Sequence, residues 1–223
     1  MTKYILLVLP LLAVVNELDV VSATVSWGAN DIADDTTDGP SDVYAIDIDG
    51  DGDLDVVSAS YYDYTIWWHE NLDGSGSSWT THTISVETSW CRTVYAQDVD
   101  GDGDMDVLAA LMSDNAIVWY ENDGSGGGWT KHTITSSASD AYAVFAIDLD
   151  GDGDMDVLSA SRNDNTIRWY ANDDGTGTSW STTTISTSLS RPETVHAVDM
   201  DGDGDVDVLS AGYSSNNAVW YEN

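Results

Sequence analysis

The chain has almost no cysteine or proline and very little positive charge. Its 223 residues include one cysteine, three prolines and six Lys or Arg, against 40 Asp or Glu. A single cysteine, Cys91, excludes an internal disulfide. The formal net charge of −34 argues against nucleic acid and anionic membrane surfaces as partners, because few cations are available to contact phosphate.

Long apolar runs are equally scarce, and the one near the N terminus has the shape of a secretory signal. The run Ile5–Val15 follows a single positive side chain at Lys3, and Val21–Ala23 offers small residues for cleavage. The run is too short to span a membrane comfortably. We therefore predict a signal peptide at residues 1–23, a secreted or cell-surface location and no membrane insertion after cleavage, with an uncleaved anchor as the alternative.

Aspartate is abundant, and it is concentrated in one nine-residue pattern that occurs four times. The pattern Asp-x-Asp-Gly-Asp-Gly-Asp-x-Asp occupies residues 47–55, 98–106, 148–156 and 199–207. Carboxylates this close repel one another by about 1 kcal/mol or more per pair unless a cation lies between them. Oxygen ligands suit calcium and disfavour zinc and copper. The sequence thus predicts about four calcium ions, one in each loop.

Within each loop, alternate residues are the candidate ligands. In the first copy, the side chains at positions one, three, five and nine are predicted to face the ion, while position seven, Asp53, offers its main-chain carbonyl. Glycines at positions four and six let the backbone curl tightly. The candidate metal-binding residues are Asp47, Asp49, Asp51, Asp53, Asp55, Asp98, Asp100, Asp102, Asp104, Asp106, Asp148, Asp150, Asp152, Asp154, Asp156, Asp199, Asp201, Asp203, Asp205 and Asp207.

These loops are not EF-hands. An EF-hand needs a bidentate Glu at position twelve, where the four copies hold Ser58, Ala109, Ser159 and Ser210. Short β-branched segments flank each loop, which is typical of strands rather than helices. Each loop is therefore predicted to be the turn of a β-hairpin.

The loops belong to a longer repeat of about fifty residues. Their first residues lie 51, 50 and 51 positions apart, and a Trp follows each first Asp by 21 residues. A further Trp opens another strand-like segment in three of the repeats. This period predicts an all-β fold, a β-propeller with four antiparallel strands in each blade. Core packing between blades is the preferred interpretation of the Trp residues, over a carbohydrate platform.

The ends of the chain bear on whether the propeller closes. The last repeat stops after its third strand at Asn223, and Trp27 lies 20 residues before Asp47. Thr24–Ile32 is therefore predicted to supply the missing fourth strand and to close four blades into a ring, with residues 24–223 as one domain. The alternative is an open fragment of a seven-bladed propeller.

The four repeats resemble a known family. The segments Val43–Ser60, Val94–Ala110, Val144–Ser161 and Val195–Gly212 resemble the FG-GAP repeat, also called the VCBS repeat. Related repeats form the calcium-bearing propeller of integrin α-subunits, some fungal lectins and many secreted surface proteins. The resemblance implies a calcium-binding propeller with a role in adhesion. The Phe-Gly and Gly-Ala-Pro motifs that gave the repeat its name are absent from this sequence, so the resemblance does not imply integrin-like partners.

No constellation of catalytic residues is visible, and we predict a non-catalytic protein. The four histidines occupy strand positions where other repeats hold Tyr or Thr. The leading hypothesis is a binding or adhesion module for an extracellular protein or glycan, with recognition by the variable connections. These connections are Tyr61–Tyr64, Val86–Trp90, Ser136–Tyr142 and Thr187–Pro192. The alternatives are a lectin, with Trp67, Trp90 or Tyr62 stacking on sugar, and an accessory module of an extracellular enzyme.

Overall fold

The described part of the chain consists of β-strands joined by turns. The computed structural model describes residues 28–33 and 37–223. The chain divides into two compact units, Met1–Asn30 and Asp31–Asn223. Residues 28–30 of the first unit form no strand, and the second unit holds all the strands of the described residues. No helix in these described ranges is long and apolar enough to cross a membrane.

Fifteen strands in the described residues form four antiparallel sheets. The strands are β1 (Pro40–Ile46), β2 (Asp55–Ser60), β3 (Thr65–Asn71), β4 (Trp79–Val86), β5 (Cys91–Gln97), β6 (Asp106–Leu111), β7 (Ala116–Asn122), β8 (Trp129–Thr135), β9 (Ala141–Ile147), β10 (Asp156–Ser161), β11 (Thr166–Asn172), β12 (Trp180–Ser186), β13 (Pro192–Val198), β14 (Asp207–Gly212) and β15 (Asn217–Tyr221). Sheet 1 contains β1 to β4, sheet 2 contains β5 to β8, sheet 3 contains β9 to β12, and sheet 4 contains β13 to β15. Strands that follow one another in the chain are neighbours in every sheet.

The hairpins and the four-stranded sheets confirm the predicted repeat. Each Asp loop joins the first two strands of its sheet, as shown by the pairing of Ile46 with Asp55 in sheet 1. Sheet 4 has three strands within the described residues. The fourth strand predicted at Thr24–Ile32 falls partly on residues 24–27, which lie outside the described residues, and residues 28–32 carry no strand.

The hydrophobic core lies between consecutive sheets. Three buried clusters occur, one between sheets 1 and 2, one between sheets 2 and 3, and one between sheets 3 and 4. The Trp residues predicted to pack between blades do so in sheets 1 and 2, where Trp68 and Trp119 are 2% and 1% exposed. Because these sheets are covered on both faces, all six residues of β6 and all six residues of β10 are buried.

The described strands do not close into a ring. No hydrophobic cluster of the described residues joins sheet 4 to sheet 1. Val43 in sheet 1 is 63% exposed and Trp220 in sheet 4 is 42% exposed, whereas contact between these sheets would bury them. The described fold is thus an all-β array of four sheets stacked in chain order.

One turn carries a backbone conformation that its residue tolerates poorly. Tyr64 has a φ of 60°, and the equivalent residues of the other turns are asparagines, Asn115, Asn165 and Asn216, with φ between 53° and 56°. Asn tolerates this left-handed region far better than Tyr does. We expect Tyr64→Asn to raise the free energy of unfolding by about 1 kcal/mol. Urea unfolding of the two proteins measures this difference, and an unchanged or lowered stability contradicts it.

Candidate metal centre

Each Asp loop gathers carboxylates that lie far apart in an extended chain. In the first three loops, positions one, three and nine come together, and in the fourth, positions one, three and five do. Within each group, one ligand atom from every residue lies within 4.8 Å of the others. The groups are Asp47, Asp49 and Asp55; Asp98, Asp100 and Asp106; Asp148, Asp150 and Asp156; and Asp199, Asp201 and Asp203.

Backbone N–H groups of the loop itself hold these carboxylates in place. In the first copy, Gly50 and Gly52 donate to the two carboxylate oxygens of Asp47, each at 2.9 Å, and the N–H of Asp51 donates to Asp49 at 3.2 Å. The two glycines have φ of 74° and 96°, and this curl aims their N–H groups inward. The same bonds recur in the other three loops.

Position nine is the buried member of the site. Asp55 is 1% exposed, and its carboxylate accepts the backbone N–H of Ile48 at 3.2 Å and of Asn71 at 2.8 Å. The indole Nε1 of Trp68 also donates to it, at 3.0 Å. In the second loop, burial raises the pKa of the equivalent Asp106 to about 7. A buried carboxylate beside other carboxylates is favoured in its charged form only when a cation is near.

The side chain at position seven of the first three loops lies against a neighbouring turn. A Cβ atom added to Gly74 would lie 2.3 Å from Oδ1 of Asp53, so this side chain rests against the turn between β3 and β4. Asp104 and Asp154 lie in the same way against Gly124 and Gly175. These three residues, and Asp205 of the fourth loop, fall outside the acidic groups. The predicted ligands at position five of the first three loops and at position nine of the fourth also fall outside them: Asp51, Asp102, Asp152 and Asp207. The side chain at position seven thus lies against a turn, and the role of its main-chain carbonyl as a ligand stays a prediction.

The dimensions of the groups suit a hard cation. Two oxygens bound to one calcium ion lie about 2.3–2.6 Å from it, so they are no more than about 5 Å apart. The separation of up to 4.8 Å meets that limit, and every donor in the groups is an oxygen. The acidic clusters could therefore hold metal ions. In each of the first three loops, the candidate ligands are the side chains at positions one, three and nine.

The fourth loop differs from the others because nothing in the described residues covers it. Its second residue, Met200, is 50% exposed, while Ile48 and Val99 at the same position of the first two loops are at most 2% exposed. The backbone N–H of Asn223 holds the pKa of Asp207 below its usual range. The fourth loop has the same sequence pattern in a more open setting.

An asparagine that supports each loop was missed in the sequence. Asn122 ends β7, and its backbone N–H donates to Asp106 at 2.9 Å. Its side-chain Nδ2 donates to the carbonyls of Met105 in its own loop, at 3.1 Å, and of Ile48 in the preceding loop, at 3.0 Å. An Asn stands 24 residues after the first Asp in all four repeats, and that recurrence is the signal that could have identified it.

The one close Ser–His pair of the described residues is structural. Oγ of Ser58 lies 2.9 Å from Nε2 of His69, but both residues are only 3% exposed. In sheet 3 the same two positions are Ser159 and Tyr170, whose oxygens lie 3.1 Å apart. Because Tyr replaces His at this position in sheet 3, the pair serves packing and gives no support to catalysis.

The opposite end of the sheets carries an aromatic and cationic cavity. Antiparallel pairing places the starts of β1, β5, β9 and β13 at the end away from the Asp loops. A cavity of about 370 Å³ opens there, lined among others by Tyr61, Tyr62, Arg92, Tyr142 and Arg162. Both guanidinium groups lie over the Tyr142 ring, at 4.5 and 4.4 Å from its centre. The cavity combines residues from three different repeats.

The charges in this cavity are only partly paired. Arg162 forms an ion pair with Glu193 at 3.0 Å. Among the described residues, Arg92 has no carboxylate within 4 Å, and its guanidinium donates instead to the Tyr142 hydroxyl. An arginine without an ion pair is notable in a chain with 40 acidic residues, since carboxylates are the commonest groups on its surface.

Among the sugar-stacking candidates, only Tyr62 is well exposed. It is 64% exposed and meets Tyr61 edge to face at 5.2 Å. Trp90 is half-buried and stacks on Tyr61 at 4.9 Å, and Trp67 is half-buried within β3. The structure therefore places Tyr62 and Tyr61 at the cavity and leaves Trp67 outside it.

Comparison with known proteins identifies the repeats. The model of the FG-GAP-like repeat matches residues 47–109, 98–159 and 148–210. No curated protein matches the chain significantly in sequence. Among solved structures, the V. cholerae biofilm matrix protein Bap1 is similar, with a TM-score of 0.44 and 23% identity over 77% of this chain and 23% of that one. The chain thus spans about a quarter of the length of Bap1. The matches to the repeat model together cover most of the chain, and the protein belongs to the FG-GAP-like repeat family.

Proposed function

We propose that the protein is a secreted, calcium-binding and non-catalytic module of β-propeller type that binds an extracellular protein or glycan. Membership of the FG-GAP-like family supports an extracellular adhesion-type repeat module. The observation that carries the calcium assignment is the set of four acidic groups built from oxygen donors within 4.8 Å of one another. Calcium would hold each hairpin by joining the start of its loop to the buried Asp at the end.

The secreted location rests on the sequence. The predicted signal peptide, residues 1–23, lies outside the described residues, and the domain that follows is proposed to begin at residue 24. Extracellular fluids supply abundant calcium, which suits loops of modest affinity. A chain with one buried cysteine and no disulfide in the described residues needs another source of stability outside the cell, and metal binding provides it.

Two substitutions in the second loop test which Asp side chains bind the metal. Asp100 accepts one N–H through Oδ1, a bond that Asn retains, and Asp104 lies against Gly124. We expect Asp100→Asn to remove one calcium ion from the stoichiometry, because position three loses a charged oxygen. Asp104→Asn, the matched control with the same change of charge, is expected to bind all four. Calorimetric titration of each variant measures the number of sites, and equal losses in both would contradict the assignment.

The proposed ligand site is the cavity lined by Tyr61, Tyr62, Arg92, Tyr142 and Arg162. It lies among the variable connections, away from the acidic loops. Exposed aromatic rings stack on sugars or on apolar side chains of a protein, and Arg92, which has no ion pair with any described residue, can bind an acceptor group of either ligand. A lectin is the second candidate, favoured by the exposed ring of Tyr62.

A glycan array with the calcium-loaded chain tests this site. If the ligand is a glycan, we expect saturable binding that falls about tenfold or more in Tyr142→Ala, since this ring lines the cavity and packs against both of its guanidinium groups. Tyr213→Ala is the control, because Tyr213 is 66% exposed and does not line the cavity. No glycan binding would remove the lectin and leave a protein ligand, and binding insensitive to Tyr142→Ala would place the ligand elsewhere.

A further inference from the structure

The face of sheet 4 that points away from sheet 3 carries the residues of an inter-sheet interface, and none of the described residues covers it. Met200, Leu209, Ala211, Ala218 and Trp220 occupy positions that sheets 1 and 2 bury against the next sheet. Trp220 is 42% exposed and Met200 is 50% exposed. The corresponding residues are all at most 2% exposed in sheet 1, where they are Ile48, Val57, Ala59, Ile66 and Trp68, and in sheet 2, where they are Val99, Leu108, Ala110, Ile117 and Trp119.

Sheet 1 is uncovered at the positions that would receive such a face. Val94, Val144 and Val195 stand at the same place in the first strands of sheets 2, 3 and 4, pack into the clusters with the preceding sheet, and are 2–6% exposed. Val43 of sheet 1 is 63% exposed. Sheet 1 therefore presents the second half of the interface that recurs inside the chain.

A Trp–Gly contact marks the recurring interface. A Cβ atom on Gly126 would lie 2.4 Å from the ring of Trp68 in the preceding sheet, and one on Gly177 would lie 2.6 Å from the ring of Trp119. Only Gly leaves room for these rings. Gly76 is the equivalent glycine of sheet 1, and among the described residues only Trp79 of its own turn comes within 4 Å of such an atom. No Trp from another sheet of the described residues packs against Gly76.

The side-chain amide of Asn71 also makes one hydrogen bond fewer to the described residues than its equivalents in sheets 2 and 3 do. Asn122 and Asn172 each donate through Nδ2 to two carbonyls, one in their own loop and one at the second residue of the preceding loop. Asn71 of sheet 1 donates to the carbonyl of Leu54 in its own loop, and no second acceptor occurs in the described residues. The matching acceptor in an uncovered loop is the carbonyl of Met200.

We infer that sheet 4 of one copy packs on sheet 1 of a second copy, with Trp220 over Gly76 and the Asn71 amide bonded to the Met200 carbonyl. The second copy is the occupant because its first sheet carries the glycine, the amide donor and the exposed valine that this face requires. The contact joins two different surfaces, so two copies close a ring of eight sheets if both ends engage, and otherwise the copies extend as a chain. High negative charge opposes the contact, and salt and bound calcium reduce that repulsion.

Sedimentation analysis of the full chain in calcium and about 0.15 M salt tests the inference. We expect self-association that rises with protein concentration, with the dimer at twice 24.0 kDa as the smallest assembly. Trp220→Glu should weaken association at least tenfold by placing a charge in the interface. Val43→Glu should do the same from the other surface, and Tyr213→Glu, an exposed control outside both surfaces, should not.

A mixture of the two disruptive variants gives the decisive result. The Trp220→Glu chain retains an intact sheet 1, and the Val43→Glu chain retains an intact sheet 4, so mixing them should restore a one-to-one dimer that cannot extend. Circular dichroism confirms that each variant folds, and Ala218→Arg replaces Trp220→Glu if that chain does not. A monomer at all concentrations, which is also the result if a segment of the same chain covers the face, overturns the inference. Association that both variants leave unchanged, or no recovery on mixing, overturns it equally.

Discussion

Removing calcium from the chain is expected to unfold it or to lower its melting temperature by more than 10 °C. A ligand that binds only the folded state at about 100 times its dissociation constant stabilises that state by about 2.7 kcal/mol. Four such sites contribute about 11 kcal/mol, which is comparable with the whole stability of an ordinary domain, about 5–15 kcal/mol. The protein has no disulfide among its described residues to compensate.

The structural reason for this large effect is the burial and crowding of carboxylates in the first three loops. Burial raises the pKa of Asp106 to about 7 and raises that of Asp156, and burial together with neighbouring carboxylates raises the pKa values of Asp49 and Asp100. Each raised pKa means that the charged carboxylate is disfavoured in the ion-free fold. A bound cation reverses the sign of that interaction.

Differential scanning calorimetry in chelator and in millimolar calcium measures the effect. Magnesium at the same concentration is the control, because its smaller octahedral shell fits a flexible loop of seven oxygens poorly. We expect magnesium to restore little of the melting temperature. Equal melting in chelator and in calcium would show that the loops contribute no metal-dependent stability.

The second large effect is expected at the Trp between sheets 2 and 3. Trp119 is 1% exposed, stacks on His132 at 4.4 Å and fills the space above Gly177. Its indole N–H has no hydrogen-bond partner among the described residues, so truncation removes packing alone. We expect Trp119→Ala to lower the free energy of unfolding by about 3–5 kcal/mol.

Trp220→Ala is the matched control for this truncation. The two residues share the same place in the repeat, but Trp220 is 42% exposed. At a protein concentration low enough to keep single copies apart, its loss is expected to cost less than about 1 kcal/mol. Urea unfolding of both variants measures the difference, and similar costs would contradict the account of the inter-sheet core.

The local parts of this fold could be predicted because each is encoded within a few residues. The Asp-Gly spacing defines the loop, and the β-branched segments on either side define the hairpin, so β1, β2 and their equivalents follow from the sequence. The Trp predicted to open a further strand-like segment is the first residue of β4, Trp79. Four copies of the same signal made the repeat period unambiguous.

The relations between repeats could not be predicted in the same way. Trp68 and Trp220 have similar local sequences, yet one is buried and the other is exposed, because only the first has another sheet beside it. The cavity of Tyr61, Arg92 and Tyr142 joins residues about thirty to eighty positions apart, and no local pattern indicates that they meet. The ring closure predicted through Thr24–Ile32 is not found in the described residues, where residues 28–32 form no strand and Val43 and Trp220 are exposed.

The metal loops contain features that the sequence predicts and one feature that it does not. Of the four side chains predicted to face the ion, those at positions one, three and nine lie together in the first three loops, and position five lies outside these groups. The side chain at position seven rests against a neighbouring turn in the same loops, and metal binding at all of these residues stays a prediction. The supporting Asn122 was missed because it approaches from β7, sixteen residues after the Asp106 that it contacts. A single repeat gives little indication that an Asn on a later strand supports the loop. The recurrence of this Asn is recognised only when the four repeats are compared.

The most direct test of the account is the number of calcium ions bound to each folded chain. Equilibrium dialysis of the chelator-treated protein against calcium, with the bound metal measured by atomic emission, gives that number. The account predicts four saturable ions per chain, one in each Asp loop. A chain that binds no calcium under conditions in which it is folded would contradict the assignment of the four acidic groups as metal sites.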